Sequence, residues 1–359
     1  MITLLILTIN PGSTSTKIGI FSGQGTDQEP TPVFVENIRH SAEELSAFAT
    51  LYDQLDYRRD LILATVKKAG FSLGDIEGFI GRGGLLRPIE SGVYKVNDAM
   101  TADLHKGIQG VHASNLGGLL AHAVSGGKGA YIADPVVVDE LSSVARISGH
   151  PLFKRTSIFH ALNQKAIARR HCRLHGLSYN DVNLIVTHMG GGVSVGAHAK
   201  GRVIDVNNAL DGDGPFSPER SGTLSVGQLI NYCFSGKYTE KEIRAMIQPK
   251  GGLVAYFNTN DLQEVEEMAK SNDQAALVLD AMAYRVAKEI GAAAISFRGK
   301  VDAILLTGGM AYSDRLTSYI TDHTAFIAPV HKYPGEDELQ ALASAIMRVF
   351  TGEEEVKVY

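Results

Sequence analysis

The order of apolar strands, glycine-rich turns and amphipathic helices predicts an α/β protein built from two related halves. Residues 4–21 are predicted to form a strand, a turn rich in glycine and hydroxyl side chains, and a second strand. Residues 184–206 repeat that plan about 180 residues later, and self-similarity of this kind indicates an internal duplication. Two unrelated hairpins are the alternative explanation.

The strands are predicted from short apolar runs. Leu4–Ile9 is apolar except for Thr8, as expected of a strand buried on both faces. Ile18–Phe21 continues after the first turn, and Ala130–Ala133 is a further strand-like run. In the second half, apolar runs predict strands over Leu184–Thr187, Val193–Ala197, Val203–Val206 and Ala303–Leu306. A third glycine turn, Thr307–Gly309, follows the last of these strands.

Amphipathic periodicity predicts the helices. They are expected over residues 42–54, 57–69, 97–104, 114–123, 157–175, 225–234, 239–247, 261–270, 274–297 and 336–350, with another from about residue 313. The boundary between the halves is expected near His150–Pro151. The N-terminal half then comprises residues 1–150, joined by the C-terminal helix of residues 336–359, and the C-terminal half comprises residues 151–335.

Composition restricts the classes of function. The 359 residues include 34 basic and 39 acidic ones, so the formal charge is 34 − 39 = −5, and the pI is about 6.2. Without a dominant basic face, nucleic acid is not an expected partner. Apolar runs are too short or too charged to span a membrane, so no membrane partner is expected. Cys172 and Cys233 cannot form a disulfide framework, and a reducing cytoplasm is the expected location.

Glycine-rich loops after apolar strands are natural cradles for anions, because consecutive backbone N–H groups lie free of Cβ atoms. The sequence has three such loops, which favours a polyphosphate ligand. They do not match a Walker loop, and the first two lead into strands rather than into the helix of a dinucleotide-binding loop. Gly192–Gly196 matches the G-x-S-x-G nucleophile elbow, but β-type residues follow, so Ser194 is not expected to be a nucleophile.

The first loop, Asn10–Lys17, offers hydroxyl groups and one ammonium group to phosphate oxygens. Ser13, Ser15 and Lys17 are its candidate ligands, together with two threonines. A polar hairpin turn is the alternative for this loop alone. The second and third glycine loops favour the phosphate interpretation.

Sequence motifs of one enzyme family occur in order along the whole chain. Three of them are the glycine loops, in Asn10–Lys17, Thr187–Gly192 and Leu306–Ala311. The others are Gly81–Gly84, Ala133–Pro135, Phe159–His160, Pro218–Gly222 and Pro334–Glu338. Each is weak alone, but the ordered set resembles the acetate kinase family, and in particular its butyrate kinase branch. By this resemblance the three loops are the first phosphate loop, the second phosphate loop and the adenosine-side motif.

The resemblance implies a fold, a ligand and a reaction. The fold is the duplicated ribonuclease H-like one shared by acetate kinases, sugar kinases, Hsp70 and actin, in which ATP binds in the cleft between the halves. The reaction transfers the γ-phosphoryl group of ATP to a short-chain carboxylate and gives an acyl phosphate. Gly190, Gly191, Gly192, Gly308 and Gly309 are then expected to bind the nucleotide. The family also implies a homodimer, so a homo-oligomer is expected.

That reaction brings a carboxylate to a polyanion, so its site needs positive charge. Two like unit charges 4 Å apart repel by about 4 kcal/mol at an effective dielectric of 20. Arg82 and Arg220 each lie near a glycine, and guanidinium groups suit carboxylate and phosphoryl oxygens. His160 and His188 are expected to donate hydrogen bonds rather than act as bases, because the carboxylate is already ionised at pH 7. Surface arginines and structural histidines are the plainer alternatives.

Acidic residues at two motifs are candidate magnesium ligands. Asp134 ends a strand-like run, and in the family the second acid lies within the cluster at residues 336–338. The register of the sequence favours Asp337 as this ligand, with Glu336 as the next choice. The alternative is that these acids simply stabilise the N-terminus of a helix. Asn10 is expected to orient an arginine or a metal-bound water. ATP and Mg²⁺ are therefore the expected cofactors.

Two departures from the family pattern leave alternatives open. In acetate kinases an arginine is followed by Val-Val-His-Gly-Gly, whereas Arg82 runs directly into glycines, so Arg87 is a rival for binding the acid. Gly191 stands where acetate kinases have asparagine, which leaves room for a longer acyl chain. Butanoate or a branched short-chain acid is the expected substrate. The rivals are an acetate or propionate kinase, a hydroxyl-directed sugar kinase, and a non-kinase ATP-binding protein like Hsp70 or actin.

Two further clusters are interpreted as non-catalytic. His171, Cys172 and His175 resemble half of a metal site, but no second Cys/His pair lies nearby in sequence and arginines crowd the segment. A solvated helix face is therefore favoured there. Asp211–Gly214 resembles part of a calcium loop but lacks the remaining ligands, which favours a loop beside the cleft.

Overall fold

A computed structural model describes residues 3–24 and 29–359. The chain divides into two compact units, the first made of Met1–Val138 with Asp337–Tyr359 and the second of Asp139–Glu336. The sequence predicts this division somewhat later in the chain, near His150–Pro151. Each unit has its own mixed β-sheet with helices packed on it.

The first unit is built on one sheet. In the described residues its strands are β1 (Leu4–Pro11), β2 (Ser15–Gly23), β3 (Thr31–Arg39), β4 (Gly78–Arg82), β5 (Val93–Lys95) and β6 (Ala130–Ala133). Their spatial order is β3-β2-β1-β4-β6-β5. β2 is antiparallel to both β1 and β3, whereas β1, β4 and β6 are parallel. The carboxyl ends of β1, β4 and β6 therefore meet at one edge of the sheet.

Two helices, α4 (Asn115–Val124) and, at the end of the chain, α12 (Glu338–Phe350), bury apolar faces against this sheet. Two others, α2 (Leu55–Lys68) and α3 (Asp98–Lys106), pack on α4, and the short α1 (Ala42–Ser46) has no buried residue. α4 crosses β4 at very short range, because a Cβ on Gly81 would lie only 2.0 Å from the carbonyl oxygen of Gly117. This glycine contact fixes the backbone immediately before Arg82.

The second unit repeats the topology of the first. Its described strands are β7 (Asn183–Met189), β8 (Val193–Ala199), β9 (Arg202–Val206), β10 (Ala303–Gly308) and β11 (Val330–Pro334). Their order is β11-β10-β7-β8-β9, with β8 antiparallel to its neighbours and β7, β10 and β11 parallel. The series β3-β2-β1-β4-β6 thus matches β9-β8-β7-β10-β11 in order and direction. This shared topology confirms the predicted duplication.

The helices of the second unit surround a separate core. They are α5 (Ala161–Leu174), α6 (Val226–Cys233), α7 (Glu240–Ile247), α8 (Gly252–Phe257), α9 (Leu262–Met268), α10 (Asp273–Ala294) and α11 (Asp314–Thr324). α10 buries Leu279, Met282, Val286 and Ile290 against the sheet, at the three- and four-residue spacing typical of an amphipathic helix. Over the described ranges, no helix is both long and apolar enough to cross a membrane.

Several predicted boundaries are wrong. Residues 42–54 do not form one helix, because Thr50 and Asp53 exchange side-chain and backbone hydrogen bonds that begin a new helical segment after α1. α5 begins at Ala161 rather than at residue 157, and α12 begins at Glu338 rather than at residue 336. β3 was not predicted, since most of its side chains are exposed and it therefore lacks an apolar pattern.

Candidate active site

The carboxyl ends of the parallel strands in the first unit carry three of the predicted site residues. Asn10 lies one residue before the end of β1, Arg82 ends β4, and Asp134 directly follows β6. β4 lies between β1 and β6, and Arg82 pairs with Ala133 in the ladder. The three residues are therefore neighbours across one sheet edge, where open α/β sheets usually bind ligands.

Glu338, the first residue of α12, connects two of these residues. Its Oε1 forms an ion pair of 2.9 Å with Nη1 of Arg82, and its Oε2 accepts a hydrogen bond from Nδ2 of Asn10. The side chains of Arg82 and Glu338 are only 26% and 19% exposed. The carboxylate therefore holds the Arg82 guanidinium at the strand ends.

The two acids that the sequence favoured for magnesium have other contacts. Oδ1 of Asp337 accepts a hydrogen bond of 3.0 Å from the backbone N–H of Gln340 and so caps α12. Glu336 belongs to the second unit and faces His188. Their assignment as metal ligands stays a prediction. Glu338, the acid of this cluster that the sequence register did not favour, is the one that contacts Asn10 and Arg82.

Asp134 has a backbone conformation that is uncommon for residues other than glycine, with φ of 38°. Its side chain is buried, and Oδ1 accepts hydrogen bonds from Oγ of Ser91 at 2.6 Å and from the backbone N–H of Gly92 at 2.9 Å. Backbone strain of this kind is concentrated at functional sites. The geometry therefore indicates a carboxylate held at the sheet edge for a purpose beyond packing.

Arg87, the alternative candidate for binding the acid, has other partners. It forms an ion pair of 2.8 Å with Asp103, and its guanidinium carbon lies 4.7 Å from the ring centroid of Tyr359. Its Nε also donates to the hydroxyl of Tyr359 at 3.1 Å. The structure therefore brings Arg82, and not Arg87, together with Asn10 and Glu338.

The first predicted phosphate loop turns between β1 and β2. The backbone N–H of Gly12 donates to the carbonyl of Ser15 at 2.8 Å and closes the turn. Ser13 and Lys17 are exposed, and Ser15 is partly exposed. Lys17 pairs with Asn10 across the two strands, so their side chains share one face of the sheet. The loop thus presents hydroxyl and ammonium donors beside the strand ends.

Arg58 supports this loop through hydrogen bonds, and this role was not predicted from the sequence. Its buried guanidinium donates to the carbonyl oxygens of Gly12, Ser13 and Ser15, to Oγ1 of Thr16 and to Oε1 of Gln54. Arg58 shares the buried face of α2 with Ile62 and Val66, at a spacing of four residues. An arginine at an apolar position of an amphipathic helix was the signal available in the sequence.

An Arg58→Met variant is expected to lower the free energy of unfolding by about 3 kcal/mol, because the loop carbonyls lose their buried donors. Loosening of the loop should also raise KM for ATP. Urea unfolding and steady-state kinetics measure the two effects. Arg59→Met is the matched control, since Arg59 lies on the same helix and pairs with exposed Asp56 and Asp60. Equal effects of both variants would show that Arg58 does not support the loop.

The second predicted phosphate loop links β7 to β8. The hydroxyl of Ser217 donates to the carbonyl of Gly191 at 2.6 Å, and the backbone N–H of Gly190 donates to the carbonyl of Gly192 at 3.0 Å. Ser217 is fully buried and so anchors the loop to the core of the unit. Ser194 lies inside β8 and not at a strand-to-helix turn, which agrees with the expectation that it is not a nucleophile.

Arg220 packs directly against the second loop. A Cβ on Gly192 would lie 1.9 Å from Nη1 of Arg220, so glycine allows the guanidinium to approach the loop this closely. Nη1 donates to the carbonyl of Ala209 at 2.6 Å, whereas the buried Nε has no hydrogen-bond partner among the residues that the structure describes. Burial lowers the pKa of Arg220, with Glu219 opposing, but a guanidinium stays charged at pH 7. A buried cation with a spare donor beside a glycine loop is suited to bind an anion.

His160 and His188 stack on each other, with ring centroids 3.9 Å apart and planes inclined by 15°. Nδ1 of His160 lies 2.9 Å from Oγ of Ser194, and Nδ1 of His188 lies 2.8 Å from Oδ1 of Asn163. Nε2 of His188 lies 3.3 Å from Oε2 of Glu336. The Nδ1 contacts orient both rings. Asn163 was missed in the sequence, although it stands three residues after His160 in the first turn of α5.

The third loop lies at the carboxyl end of β10. A Cβ on Gly308, whose φ is 89°, would lie 2.3 Å from the carbonyl oxygen of Met189 at the end of β7. Gly309 instead faces open space and lines a cavity of about 510 Å³. The cavity is also lined by Gly190, Gly191, Glu219, Asp261, Glu266 and Glu336. Its volume is typical of a small-molecule site, and its carboxylates can accept hydrogen bonds from hydroxyl and amino groups.

Comparison with known proteins identifies the family. The sequence profile of the acetokinase family matches residues 151–327. Butyrate kinase 2 of Clostridium acetobutylicum is 53% identical to this chain over 357 residues, which cover 99% of each protein. The chain belongs to the acetokinase family. The resemblance found in the ordered motifs is thereby confirmed.

Solved structures of relatives have the same fold. The acetate kinase of Porphyromonas gingivalis has a TM-score of 0.76 and a propionate kinase of Francisella tularensis one of 0.75. Each is 18% identical and covers 96% of this chain and 99% of the relative. These matches confirm the predicted two-domain α/β fold. The nucleotide cleft expected between the halves stays a prediction.

Proposed function

We propose that this chain transfers the γ-phosphoryl group of ATP to butanoate or a branched short-chain acid and releases ADP and the acyl phosphate. The observation that carries the proposal is the 53% identity, over 99% of both proteins, to a butyrate kinase. The local geometry supports it as well. Arg82, the three glycine loops and the buried carboxylate of Asp134 lie at strand ends, and the guanidinium of Arg220 packs against the second loop. The proposed reaction needs such groups.

The proposed reaction requires neutralisation of charge rather than a general base. The acceptor carboxylate is ionised at neutral pH, so the barrier lies in bringing it to the γ-phosphate. The buried guanidinium of Arg220 binds oxygens of the acid or of the transferring phosphoryl group. Arg82, which Glu338 orients, supplies the second guanidinium group. His160 donates to the transferring group from a ring that Ser194 orients. Nδ1 of His188 donates to Oδ1 of Asn163, so His188 donates to the transferring group through Nε2 as an imidazolium.

The glycine loops and the cavity are proposed to hold ATP. Ser13, Ser15 and Lys17 donate to its phosphates, as do the backbone N–H groups of Gly190–Gly192. The nucleoside occupies the cavity beside Gly309, where carboxylates accept from ribose hydroxyls. The third loop thereby serves as the adenosine-side motif that the resemblance implied.

Magnesium is proposed to bind at the edge of the sheet in the first unit. The strained, buried Asp134 and an acid at the start of α12 are oxygen ligands of the kind that this ion prefers, mostly through bound waters. When bound, the ion neutralises charge on the phosphates. Asn10 orients Arg82 or a metal-bound water through its contact with Glu338. A cytoplasmic location and a homo-oligomeric assembly stay predictions.

The proposed function is tested by measuring kcat/KM with ATP, Mg²⁺ and a series of acids, with the acyl phosphate trapped as hydroxamate. The kcat/KM for butanoate or isobutanoate is expected to exceed that for acetate by about tenfold or more. The reason is that each methylene group in an apolar pocket contributes about 1 kcal/mol or more to binding of the transition state. A clear preference for acetate or propionate would contradict the assignment of the acid. ATP hydrolysis that is indifferent to added acid would instead indicate a non-kinase ATP-binding protein.

A further inference from the structure

Three histidines of the second unit lie close together outside the proposed active site. His171 and His175 lie four residues apart near the end of α5, and His331 is the second residue of β11. The ring centroids are 4.2 Å apart for His171 and His175, 4.7 Å for His171 and His331, and 5.1 Å for His175 and His331. The third histidine comes from a segment far away in the sequence, so sequence spacing could not reveal the cluster.

The interpretation of this segment as a solvated helix face is wrong for two of its residues. His171 and Cys172 are each only 2% exposed, because this side of α5 packs on β7 and β10. His175 is exposed and His331 is partly exposed. The cluster thus has one fixed, buried ring and two rings that can adjust at the surface.

Hydrogen bonds on the Nδ1 atoms present the other ring nitrogens as ligands. Nδ1 of His175 lies 2.9 Å from the carbonyl oxygen of His171 and so donates to it, which leaves the lone pair on Nε2. Nδ1 of His171 lies 2.8 Å from the hydroxyl of Tyr333. Metal-binding histidines characteristically use one nitrogen for the ion and the other for a carbonyl or similar partner.

We propose that His171, His175 and His331 bind one transition-metal dication of the Zn²⁺ type, with water in the fourth position. One ligand nitrogen from each ring lies within 4.8 Å of the others. Metal–nitrogen bonds of about 2.0–2.1 Å place tetrahedral ligand atoms roughly 3.3 Å apart, so small rotations of the two outer rings complete the site. Imidazole ligands suit Zn²⁺, Ni²⁺ and Cu²⁺ rather than Mg²⁺.

The metal would join α5 to β11, the edge strand of its sheet. The site is separate from the proposed catalytic histidine, since the eleven helical steps from His160 to His171 span about 16 Å. The positive charge of Arg170 acts on nearby Tyr333 and opposes a bound dication. We therefore expect a stabilising site of moderate affinity, not a catalytic one.

The experiment uses full-length protein freed of metal by a chelator, and titrates Zn²⁺ by calorimetry while following the unfolding temperature. Co²⁺ is the second probe, because four-coordinate Co²⁺ gives strong visible absorption. One ion per chain and a rise in the unfolding temperature are expected. His175→Ala and His331→Ala should each weaken Zn²⁺ binding at least about tenfold and abolish the Co²⁺ spectrum.

His323→Ala is the matched control. His323 is an exposed helical histidine whose Nδ1 also lies 2.8 Å from the carbonyl of the residue four positions earlier, Tyr319. Its loss should leave the binding constant and the Co²⁺ spectrum unchanged. Circular dichroism checks the fold of each variant, and His175→Gln replaces His175→Ala if the latter is unfolded. Zn²⁺ binding that survives both site variants, or that falls equally in the control, would overturn the proposal.

Discussion

Replacing Arg220 by alanine is expected to lower kcat for acyl phosphate formation by roughly 10²–10³-fold, the usual effect of removing one preorganised donor from a transition state. The variant loses a buried cation whose Nε has no partner among the described residues and which lies against the second phosphate loop. Steady-state kinetics with ATP and butanoate measure the loss. Arg315→Ala is the control, since Arg315 pairs with Asp280 on the exposed surface of the same unit.

A Gly192→Ala variant tests the close contact between the second loop and Arg220 while it keeps the guanidinium group. The added Cβ would lie 1.9 Å from Nη1, so Arg220 must move away from the loop. We expect kcat to fall about as far as in Arg220→Ala, although the charge remains in the protein. Gly291→Ala is the matched control, because Gly291 lies inside α10, an added methyl group there would point into space that no other described segment fills, and alanine favours a helix.

The two variants together distinguish the effect of losing the Arg220 charge from the effect of displacing that charge from the loop. Full activity in Gly192→Ala would show that the contact between the loop and Arg220 is not required. Full activity in Arg220→Ala would show that the reaction does not need this buried guanidinium, and it would contradict the role assigned to Arg220. A comparable loss in Gly291→Ala would point to a general effect of substitution in the second unit.

Local patterns were sufficient to predict much of the fold. β1 contains the run Leu4–Ile9, which is apolar except for Thr8, and β7 contains the apolar run Leu184–Val186. Glycine turns follow both strands, so the repeat was visible in sequence. β3 was not predictable, because an exposed edge strand lacks an apolar pattern and is specified by pairing with β2. The break after α1 depends on hydrogen bonds between Thr50 and Asp53 that periodicity does not detect.

The candidate site was predictable where motifs are contiguous and not where contacts are distant. Arg82 and Arg220 lie in contiguous motifs that resemble those of the family, and the reaction implied by that resemblance needs positive charge. Glu338 contacts Asn10 across 328 positions of sequence, so only the folded chain shows the pair. Arg58 likewise acts on a loop more than forty residues earlier, and nothing in the loop itself indicates a buried arginine.

A Glu338→Gln variant is expected to lower kcat by about 10–100-fold, the range found when a residue that orients a functional group is removed. Glutamine keeps the shape of the side chain but removes the charge that holds Arg82 at 2.9 Å. KM for butanoate should rise as well, because the freed guanidinium no longer has a fixed position. Kinetics at varied butanoate and varied Mg²⁺ measure both effects, and Glu43→Gln on α1 controls for the loss of one carboxylate elsewhere in the unit.

Asp337→Asn distinguishes the two neighbouring acids. Asparagine caps a helix about as well as aspartate, so α12 and the free energy of unfolding should be preserved. If Asp337 binds magnesium, as the sequence favoured, this variant will need more Mg²⁺ for half-maximal rate while Glu338→Gln will not. If Glu338 is the ligand, the Mg²⁺ requirement rises in Glu338→Gln instead. An unchanged Mg²⁺ requirement with raised KM for butanoate in Glu338→Gln assigns it to positioning Arg82, and full activity in that variant contradicts both roles.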